Sequence, residues 1–185
     1  MPTVRKKVCL VGSPAVGKTS LIIRYVKNAF EERYLRTLGT RVYTKSLEFP
    51  ASEGGEPTTL ILSVWDIMGQ RQVRELLQQS YFYGANGVLA VADLQRPETF
   101  RELWEWVATV REIVGPIPVQ LAANKLDLVD EHTPPHADIR KIAETVGCRA
   151  YNTSAKTGEN VERVFQSLAQ ALLEPGAAWP KPLPI

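Results

Sequence analysis

Lys18 and Thr19 close the stretch Gly12-Ser-Pro-Ala-Val-Gly17-Lys18-Thr19-Ser20, which follows directly on the apolar run Val8–Val11. Core packing has no use for two glycines, a lysine and a hydroxyl at the end of a strand. A polyphosphate does. A loop of backbone N–H groups that runs into a helix start can wrap phosphate oxygens, because those donors have no partner within the helix. In this spacing Ser13, Ala15, Val16 and Gly17 line the loop and Ser20 opens the helix. Lys18 adds a point charge toward the outer phosphates, and the Thr19 hydroxyl suits a hard divalent cation such as Mg²⁺.

Three further strand-like runs end in residues of matching chemistry. Trp65-Asp66-Ile67-Met68-Gly69-Gln70 offers the Asp66 carboxylate to a hydrated Mg²⁺, and three residues on, Gly69 lets an N–H approach a terminal phosphate. Alone, such a D-x-x-G stretch is a turn. Asn124-Lys125-Leu126-Asp127 places a carboxylate that can accept from both N1–H and the exocyclic amine of guanine. Adenine lacks that donor pair, and the wrong base would leave the charge of Asp127 unpaired. This disfavours an adenine-nucleotide kinase; without its neighbours Asp127 would read as a helix cap. Thr153-Ser154-Ala155-Lys156 could bring the Ala155 N–H to the guanine O6.

The elements that must position these groups alternate. Runs at 4–11, 41–49, 59–65, 87–92 and 117–123 read as strands, with the Gly/Pro-rich Pro50-Ala-Ser-Glu-Gly-Gly-Glu-Pro-Thr58 as a hairpin connection. Leu21, Ile22 and Tyr25 share one side of a helix over 18–28. Phe100, Leu103, Trp104, Val107 and Val110 form a second helical stripe, with Trp106 off it. Ile139, Ile142, Ala143 and Val146 form a third, stopped by Gly147, and Val161, Val164, Phe165, Leu168 and Leu172 a fourth. These stripes are core faces rather than cofactor boxes. The alternation predicts an α/β fold, a six-stranded mostly parallel sheet flanked by helices on both faces. Ligands of such sheets bind beyond the carboxyl ends of the strands, where all four motifs fall.

The 185 residues suit one domain, and 44% hydrophobic with 23% charged residues is an ordinary globular composition. A net charge of +2 gives no electrostatic reason to expect nucleic acid. Cys9 and Cys148 sit in apolar, strand-like runs and read as reduced core thiols of a cytoplasmic protein. No signal peptide or membrane span is visible. Pro2 excludes N-myristoylation and Trp179-Pro-Lys-Pro-Leu-Pro-Ile185 has no cysteine to prenylate, so no lipid anchor is visible. Residues 174–185 read as an extended Pro-rich tail. His132 and His136 lie with Asp130, Glu131 and Asp138 in a segment opened by Pro134 and Pro135, and read as a solvated loop rather than a metal site. Arg33, Arg36 and Arg41 read as solvated charge, with an effector surface or an internal arginine finger as the alternative.

Taken in order, the four motifs resemble the small GTPases of the Ras superfamily, nearest the Rab and Ras groups, over about residues 4–173. The resemblance implies a P-loop NTPase that binds GDP and GTP with Mg²⁺, hydrolyses GTP slowly, and meets effectors, exchange factors and activating proteins through two switch segments. Matched residue by residue, it implies Phe30 against the guanine edge and Tyr34 closing over the phosphates. It implies Thr37 on Mg²⁺ and the γ-phosphate, and Gln70 orienting the attacking water. The chain departs from the pattern where Pro14 and Ala15 replace glycines, Met68 replaces a small residue and Arg71 an acid. Pro14 has no N–H to give, and the added bulk faces the place of the γ-phosphate. The expectation is therefore a switch with slow hydrolysis; the alternative is a GTP-loaded scaffold with little turnover.

Overall fold

The computed structural model describes residues 2–30, 39–51, 56–67, 79–130 and 137–174. Among them run β1 (Thr3–Val11), α1 (Lys18–Lys27), β2 (Thr40–Phe49), β3 (Thr58–Ile67), β4 (Gly87–Asp93), α2 (Glu98–Val114), β5 (Val119–Asn124), α3 (Ala137–Val146), β6 (Arg149–Asn152) and α4 (Val161–Leu173). The six strands lie in the order β2-β3-β1-β4-β5-β6. Only β2 runs antiparallel, paired to β3 from Thr40 opposite Ile67 to Phe49 opposite Thr58. The other neighbours are parallel.

Period-two alternation sends successive residues to opposite faces, and each face carries its own core. On one side Val8 and Leu10 of β1 and Leu89 and Val91 of β4 pack under α1 and α4. On the other, Cys9, Val11, Val88 and Ala90 pack under α2 and α3. All residues of β4 and β5 are buried, as expected of central parallel strands covered on both faces. Tyr25 of α1 stacks on Phe165 of α4 with ring centroids 4.0 Å apart, which adds roughly 0.5–1.5 kcal/mol to the area it buries. The third helix ends as its glycine requires: Gly147 takes φ 72° and the Cys148 N–H bonds the Ala143 carbonyl at 2.8 Å.

Two readings are corrected. Trp106 is buried, 3% exposed, while Trp104 is 38% exposed. A helix turns about 100° per residue, and the buried Thr99, Phe100, Trp106, Val107 and Val110 all lie within about 60° of Leu103; Trp104 lies about 100° away. The i to i+4 step from Phe100 drew it into the stripe, but it falls on the flank. Cys148 lies not in a strand but in the turn before β6, where it is partly buried. Thr37, Tyr34, Gly69 and Gln70, the departures Met68 and Arg71, the charges Arg33 and Arg36, both histidines and the tail after Glu174 lie outside the described residues. Among the described residues no helix is long and apolar enough to cross a membrane.

Candidate nucleotide-binding site

The loop from Gly12 to Gly17 leaves β1 and crosses the carboxyl end of the sheet before entering α1. Its glycines are required by close approach. A Cβ on Gly12, at φ 137°, would stand 2.1 Å from the Val91 carbonyl oxygen of β4. One on Gly17, at φ 96°, would stand 2.3 Å from Nδ2 of Asn124 at the end of β5. Between them Ala15 also adopts a left-handed conformation, φ 61°, a strain of roughly 1–2 kcal/mol for a residue with a Cβ. Ser13 and Val16 are buried, and Pro14 and Ala15 are exposed. Lys18 folds back so that Nζ donates to the carbonyls of Gly12 and Ser13, both at 2.8 Å. Burial pushes its ammonium down to about 8; Asp66 opposes the shift and Arg96 adds to it.

Thr19, in the first turn of α1, donates its hydroxyl to Oδ2 of Asp66 at 2.6 Å. Asp66 is fully buried near the end of β3 and its Oδ1 has no hydrogen-bond partner among the described residues. Burial raises the Asp66 carboxyl, while Thr19, Lys18 and Arg41 act the other way; Arg41 is its cross-strand neighbour on β2. A buried polar atom without a partner costs roughly 1–3 kcal/mol, more when charged. An orphaned carboxylate oxygen beside a hydroxyl is a hard oxygen donor set that fits Mg²⁺, which takes one or two carboxylates and fills its shell with water and phosphate oxygens. Among the described residues no three His, Cys, Asp or Glu side chains are grouped to hold a metal by themselves.

Asn124, the last residue of β5, ties the segments together. Its Nδ2 donates to the Val16 carbonyl at 2.9 Å. Its Oδ1 accepts from the Ala155 N–H at 3.2 Å and from the Thr153 hydroxyl at 3.3 Å. So Asn124, expected to serve a nucleotide, braces the phosphate loop against the 153–156 loop, and Ala155 spends its N–H on that brace. Asp127 accepts the Ser154 hydroxyl at 2.5 Å, and Ser154 in turn accepts the Thr157 N–H at 3.1 Å. The Asp127 carboxylate is otherwise exposed, open to a base edge. Lys125, left-handed at φ 68°, reaches Oδ2 of Asp93 at 2.7 Å. Lys156 is exposed, Ser20 is half-buried on α1, and Phe30 is half-buried against the core under α1 and α4.

Four contributors had escaped the sequence reading. Asp93 ends β4 and holds both Lys125 and Arg96, the latter at 2.9 Å. Its carboxyl stays below the ordinary range: burial raises it, but bonds from Lys125, the Gln95 N–H and Arg96 together outweigh that. Glu102 of α2 accepts the Ser13 hydroxyl. Arg24 of α1 donates to the carbonyls of Ala155 at 2.8 Å and Lys156 at 2.5 Å, clamping the loop that carries Ala155. A carboxylate closing an apolar run was the available signal for Asp93. The contacts of Arg24 and Glu102 span more than eighty positions and leave no local trace.

A glycine-flanked lysine loop between the first strand and first helix, crossing an open sheet at the edge where its neighbours also end, defines a P-loop nucleotide-binding fold. The model of the Ras family matches residues 7–174, and the chain belongs to that family of small GTPases. It is similar to the human Ras-related protein Rab-21, 33% identical over 91% of this chain and 72% of that protein. It is likewise similar to the human Ras-related protein Rab-17, 35% identical over 91% of this chain and 76% of that one. The Ras-related protein Rab-21 of Geodia cydonium is 33% identical over 93% of this chain and 72% of its own length.

Proposed function

We propose that this protein is a GDP/GTP switch with slow, Mg²⁺-dependent hydrolysis. The observation that supports the reading is the convergence on Asn124: one side chain bonds both the 12–17 loop and the 153–156 loop, which itself bonds the exposed Asp127, so that a phosphate cradle and a guanine reader would keep a fixed separation. Asp127 accepts from guanine and the Ser154–Ala155–Lys156 loop closes on its other edge, with Phe30 beside the ring. The amides of Ser13, Ala15, Val16 and Gly17, with the start of α1 at Thr19 and Ser20, wrap the phosphates. Lys18 exchanges the Gly12 and Ser13 carbonyls for phosphate oxygens.

Thr19 and Asp66 hold the cation, joined by Thr37 in the triphosphate state. Bound there, Mg²⁺ neutralises charge on the phosphate oxygens. Gln70 orients a water whose oxygen bonds the γ-phosphorus as the bond to the β–γ bridging oxygen breaks, yielding GDP and phosphate. Gly69 and Tyr34 contact the terminal phosphate, and release of the two segments that carry Thr37 and Gln70 changes the surface offered to effector, exchange and activating proteins. Support for slowness is Pro14, which has no N–H to donate, beside Ala15 in a strained conformation: fixed donors aimed at developing charge dominate this chemistry. The same observation favours the second reading, a GTP-holding scaffold. Single-turnover hydrolysis of bound GTP, run beside Gln70→Leu, separates them. The switch predicts turnover that Gln70→Leu abolishes; equal, negligible turnover in both would leave the scaffold.

A further inference from the structure

The turn between β4 and α2 touches the phosphate loop at its most unusual residues. Arg96 donates from Nη2 to the Pro14 carbonyl at 2.9 Å and from Nε to Asp93 at 2.9 Å. One turn of α2 further on, Glu102 accepts the hydroxyl of Ser13. The two residues before Ala15 are thus both held from the same segment.

The base of Arg96 is itself fixed. The Arg96 N–H bonds the Asp93 carbonyl at 2.9 Å, and the Leu94 N–H bonds the Asn124 carbonyl at 2.9 Å. The buried Thr99 hydroxyl donates to the Arg96 carbonyl at 2.7 Å and accepts from the Asp93 N–H at 3.0 Å. The guanidinium is planar and serves Pro14 and Asp93 through two parts of one fork. Asp93 also carries Lys125, so a single buried carboxylate joins the arginine on the phosphate loop to the lysine of the base-reading motif.

In a trans peptide the carbonyl of residue 14 and the N–H of residue 15 point in opposite directions. No cis bond is present among the described residues. With the Pro14 carbonyl turned outward to Arg96, the Ala15 N–H is turned away from Arg96, to the loop's other side. That orientation needs restraint, because Pro14 contributes no N–H of its own and Ala15 pays for a left-handed φ.

We propose that Arg96 is a positioning residue for phosphate binding, which through the Pro14 carbonyl holds the Ala15 N–H aimed at the nucleotide's phosphate chain and couples that donor, through Asp93 and Lys125, to the guanine reader. This rests on the nucleotide-binding reading above. It gives the chain a substitute for the conformational freedom of the two absent glycines: an external brace instead of a flexible backbone.

The test uses the full chain loaded with GDP. Two quantities are measured for the native protein, Arg96→Met, Arg96→Lys and the surface control Arg101→Ala: the GDP dissociation rate and the ³¹P resonance of the bound β-phosphate. Arg96→Met is expected to release GDP about tenfold faster, the worth of one charge-assisted hydrogen bond, with a displaced β-phosphate resonance. Arg96→Lys, which lacks the fork, is expected to fall between it and the native protein, and Arg101→Ala to match the native protein. A brace that merely stabilised the fold would lower the melting temperature and leave the resonance in place; that result overturns the proposal, as does an unchanged release rate. If Arg96→Met does not fold, Arg96→Lys carries the test, and native values for it overturn the proposal. A native protein that holds no guanine nucleotide at all would overturn the underlying reading instead.

Discussion

Gly17→Ala places a methyl group where the structure has no room and no permitted φ. The added Cβ stands 2.3 Å from Asn124 Nδ2 and meets nothing else closer than 3.6 Å. A left-handed alanine costs roughly 1–2 kcal/mol. Moving the Asn124 amide breaks its bond to Val16 and leaves a buried carbonyl unpaired, a further ~1–3 kcal/mol. The sum, ~2–5 kcal/mol, is a large part of the 5–15 kcal/mol that holds a typical domain folded. Urea unfolding with and without excess GDP separates loss of fold stability from loss of ligand stabilisation. A double-mutant cycle with Asn124→Ala isolates the clash: once the amide is gone, Gly17→Ala should cost only its backbone term, so the pair should cost ~1–3 kcal/mol less than the sum of the singles. Strict additivity would refute the clash, and a single mutant within about 0.5 kcal/mol of the native protein would refute the strain as well.

Asp66→Asn should make GDP release nearly indifferent to EDTA, while the native protein releases GDP at least about tenfold faster when Mg²⁺ is stripped; equal acceleration in both would remove Asp66 from the cation site. Asp127→Asn should move preference from guanine to xanthine nucleotides, read by competition binding, since an amide donates where the carboxylate accepted; unchanged guanine preference would contradict the role given to Asp127. Arg24→Ala should release the loop of Ala155 and Lys156 and speed GDP dissociation several-fold, and a native rate would show that the clamp is idle. Burial pushes both Cys9 and Cys148 up to about 12, so at pH 8 neither thiol should react quickly with a disulfide reagent until the protein unfolds. Because these thiols ionise more readily unfolded, near 9.0, stability should fall as pH rises from about 9 toward 12; a flat profile in Cys9→Ala alone would assign the loss to Cys9.

The candidate motifs were legible because the residues of each lie close together in the chain. The Gly12–Thr19 loop, Asp66 and the Asn124–Asp127 stretch each sit within a few positions of a strand end, and the buried runs 87–92 and 117–123 announced the central strands. What stayed hidden depends on tertiary distance. Asn124 could be named from its motif, but that its amide spans Val16 and Ala155 follows only from β5 lying two strands from β1. Arg96 reads as one more loop charge until the order of strands sets β4 beside the phosphate loop. Trp104 and Trp106 were exchanged because a stripe counted by i+3 and i+4 steps has no centre until the sheet supplies one.

Identifying any nucleotide carried by the purified protein is the most direct test of guanine-nucleotide binding. Acid release followed by mass spectrometry should give GDP or GTP in close to one equivalent per chain, lost together with Mg²⁺ on exhaustive treatment with EDTA. A chain that carries ATP or ADP, or that takes up adenine nucleotides as readily as guanine nucleotides after stripping, would contradict it.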